Sequence, residues 1–563
     1  MLVVPALGIG ASPARAAWPS SPLVNVPVCT APGEQVLTAL VRDGQGGLIA
    51  VWQDSRNGAD GIFAQRLDAS GVAQWAPGGV AVVTANSAYS YPAAIPDGAG
   101  GAIIAWVDRR ADPDGDIYAQ RIDANGARQW NTGGVPVCTA GGFGQYANVV
   151  SDRAGGAIVV WMDARTGQPV TSYAQRLSAG GVPQWAPGGV PFSSSANAWY
   201  TPSVFAPDDS GGVIAAWHDV APSGTGAVHP WAQRLDGAGQ PRWGANGIML
   251  ADTSSQVDPA IADDGAGGAI IVWADSRGGN AITTSTYGQR VSAAGVPLWG
   301  ANGIPLGPPA GFTRNDGYHA AVSDGAGGAV VVWTDYDSKA IRAQRVNGLG
   351  ATQWPFDGVL VCSTTGERQP NRIQSDGAGG VLVPWSDYRL GGGDIYVQRV
   401  DAAGEPAWTT DGVATCTAGY VQAMPMLVAD GAGGALVAWS DYRGGDNWHV
   451  FAQNVAGAGA LGGTTLGVGA APGLTGLAVR CAGPHPSRGA FAVECSLPLD
   501  GDAIVSLFDV TGRCLESRPL TGLGAGTHRV TFAGRTVARS PGVYLVRLAQ
   551  GGRHCTARMV VVR

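Results

Sequence analysis

A tryptophan that ends an apolar run recurs eight times in this chain, as Trp52, Trp106, Trp161, Trp217, Trp273, Trp333, Trp385 and Trp439. Neighbouring copies stand 52 to 60 residues apart. A period of that size marks a repeat architecture, in which one unit cannot bury its apolar surface alone and must stack on its neighbours.

The unit is clearest in residues 97–140, where four strand-like pieces alternate with turns. Pro92–Pro96 leads into Asp97-Gly-Ala-Gly-Gly101, whose glycines suit a tight hairpin. Ala102-Ile-Ile-Ala-Trp106 is apolar on both faces and reads as a fully buried strand. Ile117–Ile122 mixes polar and apolar residues, as a half-buried strand does, and Asp123-Ala-Asn-Gly126 turns the chain towards Trp130 and Val135-Pro-Val-Cys138. Four antiparallel strands, repeated eight times with no helical periodicity, predict an all-β, eight-bladed β-propeller over residues 17–456.

The termini decide between a ring and an open stack. A second tryptophan introduces the fourth strand in seven copies (Trp75, Trp130, Trp185, Trp243, Trp299, Trp354, Trp408), and the eighth copy stops without it. Trp18 followed by Val26-Pro-Val-Cys-Thr-Ala31 supplies the missing piece from the other end of the chain. The N-terminal strand is therefore expected to pair beside Val450–Val455 and close the last blade, leaving few open edges.

The formal charge is −7, Lys339 is the single lysine, and no basic stripe exists, so nucleic acid is not an expected partner. A phosphate-binding loop of the GxxxxGK type is excluded for want of its lysine. Residues 1–16 are apolar and end in Ala14-Arg-Ala16, which reads as a secretory signal lacking its positive start. No other apolar run reaches the ~20 residues that span a bilayer, and a monomer at an extracellular or outer-membrane surface is expected.

Eight cysteines fall into two groups. Cys29, Cys138, Cys362 and Cys416 share one fourth-strand site and are expected as small buried residues. Cys481, Cys495, Cys514 and Cys555 lie in the last hundred residues, where an exported domain can hold one or two disulfides of undetermined connectivity.

Residues 457–476 are Gly/Ala-rich and read as a linker. Beyond them, strand-like runs at Phe491–Leu497, Ala503–Phe508, His528–Phe532, Val543–Leu548 and Thr556–Val562 predict a small β-sandwich over 477–563. Asp509-Val-Thr-Gly-Arg513, Ser540-Pro-Gly-Val-Tyr-Leu-Val-Arg-Leu548 and Ala557-Arg-Met-Val-Val-Val-Arg563 resemble the immunoglobulin-like FlgD-type and type IX secretion sorting domains of bacterial exported proteins. The resemblance covers about residues 474–563 and implies a C-terminal domain that engages secretion or surface-anchoring machinery. It departs from that family at Cys481–Pro486, where the usual Asn is missing. The repeat region resembles propeller repeats of bacterial surface proteins.

A residue present in every copy belongs most simply to the construction of the unit. The Asp of Trp-x-Asp (Asp54 to Asp441) and the Gln of Ala-Gln-Arg (Gln65 to Gln453) are therefore expected to anchor turns rather than bind cations. Asp209-Ser-Gly-Gly212 occupies a hairpin position and has no His/Asp partner pattern that would make it a protease nucleophile. Asp108, Asp112, Asp114 and Asp116 place carboxylates at alternate positions and raise Ca²⁺ as a ligand; no other cofactor is expected.

Departures from the repeat carry the ligand-site candidates. On the face from which the strand-two-to-three and blade-to-blade connections emerge stand Trp199, Tyr200, His218, His229, Trp231, Arg314, Tyr318, His319 and Trp448. Aromatic rings flanked by polar groups suit sugar rings or peptide segments. The expected function is a glycan- or protein-binding surface module without catalytic residues. The alternatives are a secreted carbohydrate-active hydrolase or lyase using the same face, and a structural envelope protein with no ligand.

Overall fold

The computed structural model describes residues 18–462 except 57, 59, 85–89, 141, 166–170, 194–203, 221–227, 254–255, 278–283, 308–315, 364–371 and 390. It also describes 478–562 except 482–486, 489–490, 498–502, 510–512, 521–525, 533–541 and 551–552. Every regular element among these residues is a strand, and no helix is long and apolar enough to cross a membrane. The chain divides into two compact units, residues 1–463 and 464–563.

The first unit contains eight four-stranded antiparallel sheets. Seven are sequential, as in sheet one: Gln35–Arg42, Leu48–Asp54, Gly61–Leu67 and Val80–Thr84. The eighth combines Gln422–Ala429, Ala435–Asp441 and His449–Val455 with Val26–Cys29 from the start of the chain. Val26 lies opposite Ala452 and Cys29 opposite Val450, so the segment pairs beside Val450–Val455 as expected from the sequence. The second strands are buried along most of their length, and Ala102–Asp108 and Ala329–Asp335 are buried at every residue. Their sequences are apolar on both faces because a neighbouring sheet covers each face.

One contact repeats around the unit and closes it. The indole N–H of each fourth-strand tryptophan donates to a carbonyl in a turn of the next sheet, at 2.9–3.2 Å, from Trp75 to Ala124 O through Trp408 to Gly457 O. Trp18 makes the eighth step, to Ala69 O in sheet one. Each ring lies against a glycine with positive φ in that turn: a Cβ on Gly126 would stand 2.9 Å from Trp75, and one on Gly71 would stand 2.9 Å from Trp18. That close approach and that backbone conformation together require glycine.

Residues 457–462 belong to this construction rather than to a linker. Val455 bridges to Leu461, Gly457 O accepts from Trp408, and Gly462 N donates to Asn454 O. The second unit has two sheets, one of Ala478–Cys481, Phe491–Leu497 and Gly526–Phe532, the other of Ser487–Arg488, Arg553–Val562, Gly542–Gln550, Ala503–Asp509 and Cys514–Leu520. Alternate residues of both meet in one core, including Val493, Leu497 and Phe532 from the first and Val505, Leu507 and Val546 from the second. Cys514 is an exposed thiol, Cys495 is buried in that core, and the Cys481 and Cys555 side chains lie outside the described residues.

Candidate functional site: the mouth of the central channel

Each sheet ends its second strand in Trp-x-Asp, and in six sheets an arginine follows two residues later. In those six the indole N–H donates to the carboxylate at 2.7–2.9 Å. The arginine returns to the same carboxylate and lies over the aromatic ring of strand three, 3.8–5.0 Å from its centroid. Indole, carboxylate, guanidinium and ring thus engage one another in each of these six sheets. Four of these arginines also meet a cysteine of the preceding sheet, Arg443 Nη2 standing 3.5 Å from Cys416 Sγ. Burial raises the thiol pKa of Cys29 and Cys138 and pushes that of Cys416 up to about 12.

Sheet six lacks the arginine and repairs the gap from strand three. Arg342 occupies the position opposite Trp333 that an aromatic residue holds elsewhere, 3.5 Å from Asp335 and 2.9 Å from Asp357. In sheet four the same cross-strand position is taken by Trp231, opposite Trp217 and packed on the core. Trp231 is half-buried there. His229 is buried opposite Asp219. Trp448 helps join sheets one and eight: its N–H donates to Glu34 Oε2 at 2.9 Å, its carbonyl accepts from Gln35 N at 2.7 Å, and its ring packs on Tyr442.

The first strands of all eight sheets line one central cavity of about 330 Å³. Four of these strands share an irregularity of both pairing and backbone. Their pairing slips between Gln145 and Asn148, Val257 and Ala260, Gly317 and Ala320, and Ala423 and Met426. At each slip one non-glycine residue adopts positive φ: Tyr146 (53°), Asp258 (53°), Tyr318 (47°) and Met424 (54°). All four are exposed. A left-handed backbone costs such residues about 1–2 kcal/mol, and bulges of this kind re-aim side chains at rims and binding sites.

Around two of these bulges the sheets bring polar groups together. The Tyr318 and Tyr336 rings meet edge to face at 5.8 Å. Burial, with the Asp258 carboxylate and the hydrogen bond to Tyr318 acting in the same direction, holds the Tyr336 phenol up to about 12. Tyr336 lies against Gly317, where a Cβ would stand 2.4 Å from its ring. Burial lowers the His218 pKa, against the pull of the same Asp258 carboxylate. Next to Tyr318, His319 turns into the cavity; its Nε2 is 3.1 Å from Thr286 Oγ1, and burial holds the imidazole down to about 4.

Of the expected ligand residues, the structure thus gathers His218, Tyr318 and His319 and adds Tyr336 and Asp258. Trp199, Tyr200 and Arg314 lie outside the described residues. The acidic loop does not converge. Asp108 is buried and engaged by Trp106 and Arg110, Asp112 accepts from Asp114 N at 2.9 Å, and burial raises Asp116. Among the described residues no three His, Cys, Asp or Glu side chains are placed to hold a metal ion.

No family model and no curated protein matches the chain, so the resemblance of its C-terminal region to sorting domains has no support from either comparison. Among solved structures it is similar to a puromycin hydrolase mutant complexed with PGG, at 17% identity over 73% of this chain and 58% of that chain, with a TM-score of 0.40. It is also similar to the Penicillium chrysogenum alpha-L-arabinanase complexed with arabinobiose (14% identity, 56% of this chain, 93% of that chain, TM-score 0.35). A third is the alpha-L-arabinofuranosidase of Fusarium graminearum in complex with an iminosugar inhibitor (12%, 65%, 93%, TM-score 0.32). The chain spans 58% of the length of the puromycin hydrolase. These neighbours include carbohydrate-active hydrolases, but likenesses this weak carry no argument about what this chain does.

Proposed function

We propose that the chain is an exported, eight-bladed propeller that binds carbohydrate at the mouth of its central channel. The bulge that recurs on four inner strands carries the reading, since each copy presents an exposed tyrosine, aspartate or methionine at a conformational cost that folding alone does not require. Tyrosine faces suit the C–H faces of sugar rings, and the Tyr, Asp and His groups beside them suit hydroxyls. In this reading the C-terminal sandwich serves export or surface attachment, as its likeness to sorting domains implies.

A glycan array with the full chain tests the proposal. Retention of a glycan class, with affinity reduced at least ~10-fold by Tyr318→Ala (about 1.4 kcal/mol), is the expected result; no retained glycan overturns it.

A second reading, hydrolysis of the same ligand class, is favoured by one observation: Asp258 is an exposed carboxylate with His218 close enough to feel its charge. Glycoside hydrolysis ordinarily takes two carboxyl groups, so in this reading His218 stands in for one of them. Sugar release from a polysaccharide that Asp258→Asn abolishes would replace binding by catalysis; release that survives the substitution would exclude this pair.

A further inference from the structure

Below the mouth, the residues four positions before each hairpin aspartate all face the central cavity. Four are alanine, and the others are valine, methionine, Asn148 and Arg372. Arg372 is thus the one charge in a ring of eight equivalent positions, and among the described residues no carboxylate lines the cavity with it. Its side chain opens to the channel while the surrounding strands strip away much of its water, which lowers its pKa. Among the described residues no hydrogen bond or ion pair engages it. A guanidinium so placed is matched best by a planar carboxylate, which it can hold through two parallel N–H donors.

His319, on the adjoining inner strand, adds a second requirement. Asp316 Oδ2 accepts from Thr286 N at 3.2 Å and from Thr286 Oγ1 at 3.1 Å. With the threonine proton directed at the carboxylate, His319 Nε2–H donates to Thr286 Oγ1. Nδ1 then carries a bare lone pair, and it is buried without a hydrogen-bond partner in the structure. A buried acceptor in a polar cavity calls for a donor, and a hydroxyl on the same ligand as the carboxylate supplies it.

We propose that the central channel binds a hydroxycarboxylate, with the carboxylate on Arg372 and a hydroxyl on His319 Nδ1. The ligand is a free hydroxy acid or an acidic sugar of a glycan. The site lies below the mouth and shares only His319 with the residues gathered there, so it stands whether or not the mouth binds neutral sugars.

Calorimetric titration of the full chain with glucuronate, glucose and acetate tests it. Glucuronate is expected to bind at least ~10-fold more tightly than either, because only it offers both groups. Arg372→Gln is expected to erase that preference over glucose, and His319→Phe the preference over acetate. Equal binding of glucuronate and glucose to the native chain overturns the proposal even if a variant fails to fold, as does an Arg372→Gln protein that folds and keeps its preference. A uronate trimer that binds more tightly than the monomer and is weakened by Tyr318→Ala assigns the acid to a glycan reaching down from the mouth. Monomer binding untouched by Tyr318→Ala, with no gain for the trimer, assigns it to a free acid.

Discussion

The two ends of each sheet are built under different constraints. At the hairpin end the sheets repeat one solution, complete in seven and lacking only the arginine in the eighth, where Asn454 stands. Asp97 Oδ1 accepts from Ala99 N and Gly101 N at 2.8 and 2.7 Å, and its other oxygen accepts from Arg121 Nε at 3.0 Å. Arg121 then reaches Ala179 O in the following sheet, the carbonyl that also receives the Trp130 indole. At the opposite end the second strands still finish alike, but the first strands diverge: Tyr146, Asp258, Tyr318 and Met424 occupy one position of the repeat, six before the hairpin aspartate. The recurring end holds the sheets together, and variation on the first strands is concentrated at the channel.

The largest effect that would sharpen this contrast is the loss of a shared anchor. Asp275 is fully buried and serves both the Trp273 indole and Arg277. Asp275→Ala takes the shared acceptor from a half-buried guanidinium and a buried indole N–H and is expected to cost about 3 kcal/mol, the lower end for a broken buried pair. Tyr318→Ala at the mouth should cost far less while reducing ligand affinity. All 19 tryptophans lie before residue 449, so fluorescence-monitored denaturation reports the first unit by itself. Similar destabilisation by the two changes would break the distinction.

Much of the recurring end was legible in the sequence because it is stated eight times: the spacing of Trp, Asp and Gln located the strands, and Trp18 with Val26–Cys29 located the ring closure. The mouth was less legible. His218, Tyr318 and His319 stood out as departures, but Trp231 and Trp448 departed too, for packing reasons. Trp231 fills a ring position that phenylalanine or tyrosine takes in other sheets. Asp258 and Arg372 escaped notice because they lie in short polar stretches with no motif. Aligning each inner strand on its hairpin aspartate would have singled out both, the first at a position otherwise apolar, aromatic or proline and the second at one otherwise uncharged.

A smaller effect concerns pH. His319 is held down to about 4 by burial, below the ~6.5 of an exposed histidine. Between those values the unfolded chain binds a proton that the folded chain refuses, so stability is full above about pH 6.5 and declines as pH falls towards 4. The decline is expected to reach about 3 kcal/mol. Burial raises the carboxylates of Asp116, Asp263 and Asp394, whose linkage has the opposite sign, so the informative quantity is a difference. His319→Gln can still donate to Thr286 and does not titrate. The stability gap between native and variant should change by that amount from pH 7 to pH 4, and a constant gap would show that the imidazole is not desolvated in the channel.

The smallest effect has the clearest sign. If the left-handed backbone at Tyr146 and Met424 serves the mouth rather than the fold, glycine should relieve it. Tyr146 is 56% exposed and Met424 52%, so little packing is lost, and Tyr146→Gly and Met424→Gly should each leave stability unchanged or raise it by up to about 1 kcal/mol. Gly126 has the same sign of φ but lies under the Trp75 ring, 2.9 Å from where a Cβ would sit. Gly126→Ala must therefore strain the backbone and displace the indole from its bond to the next sheet, lowering stability. Opposite signs at these positions would show that positive φ is structural at the turns and functional at the bulges; destabilisation by Tyr146→Gly comparable to that of Gly126→Ala would make the bulge residues part of the scaffold and remove the observation on which carbohydrate binding rests.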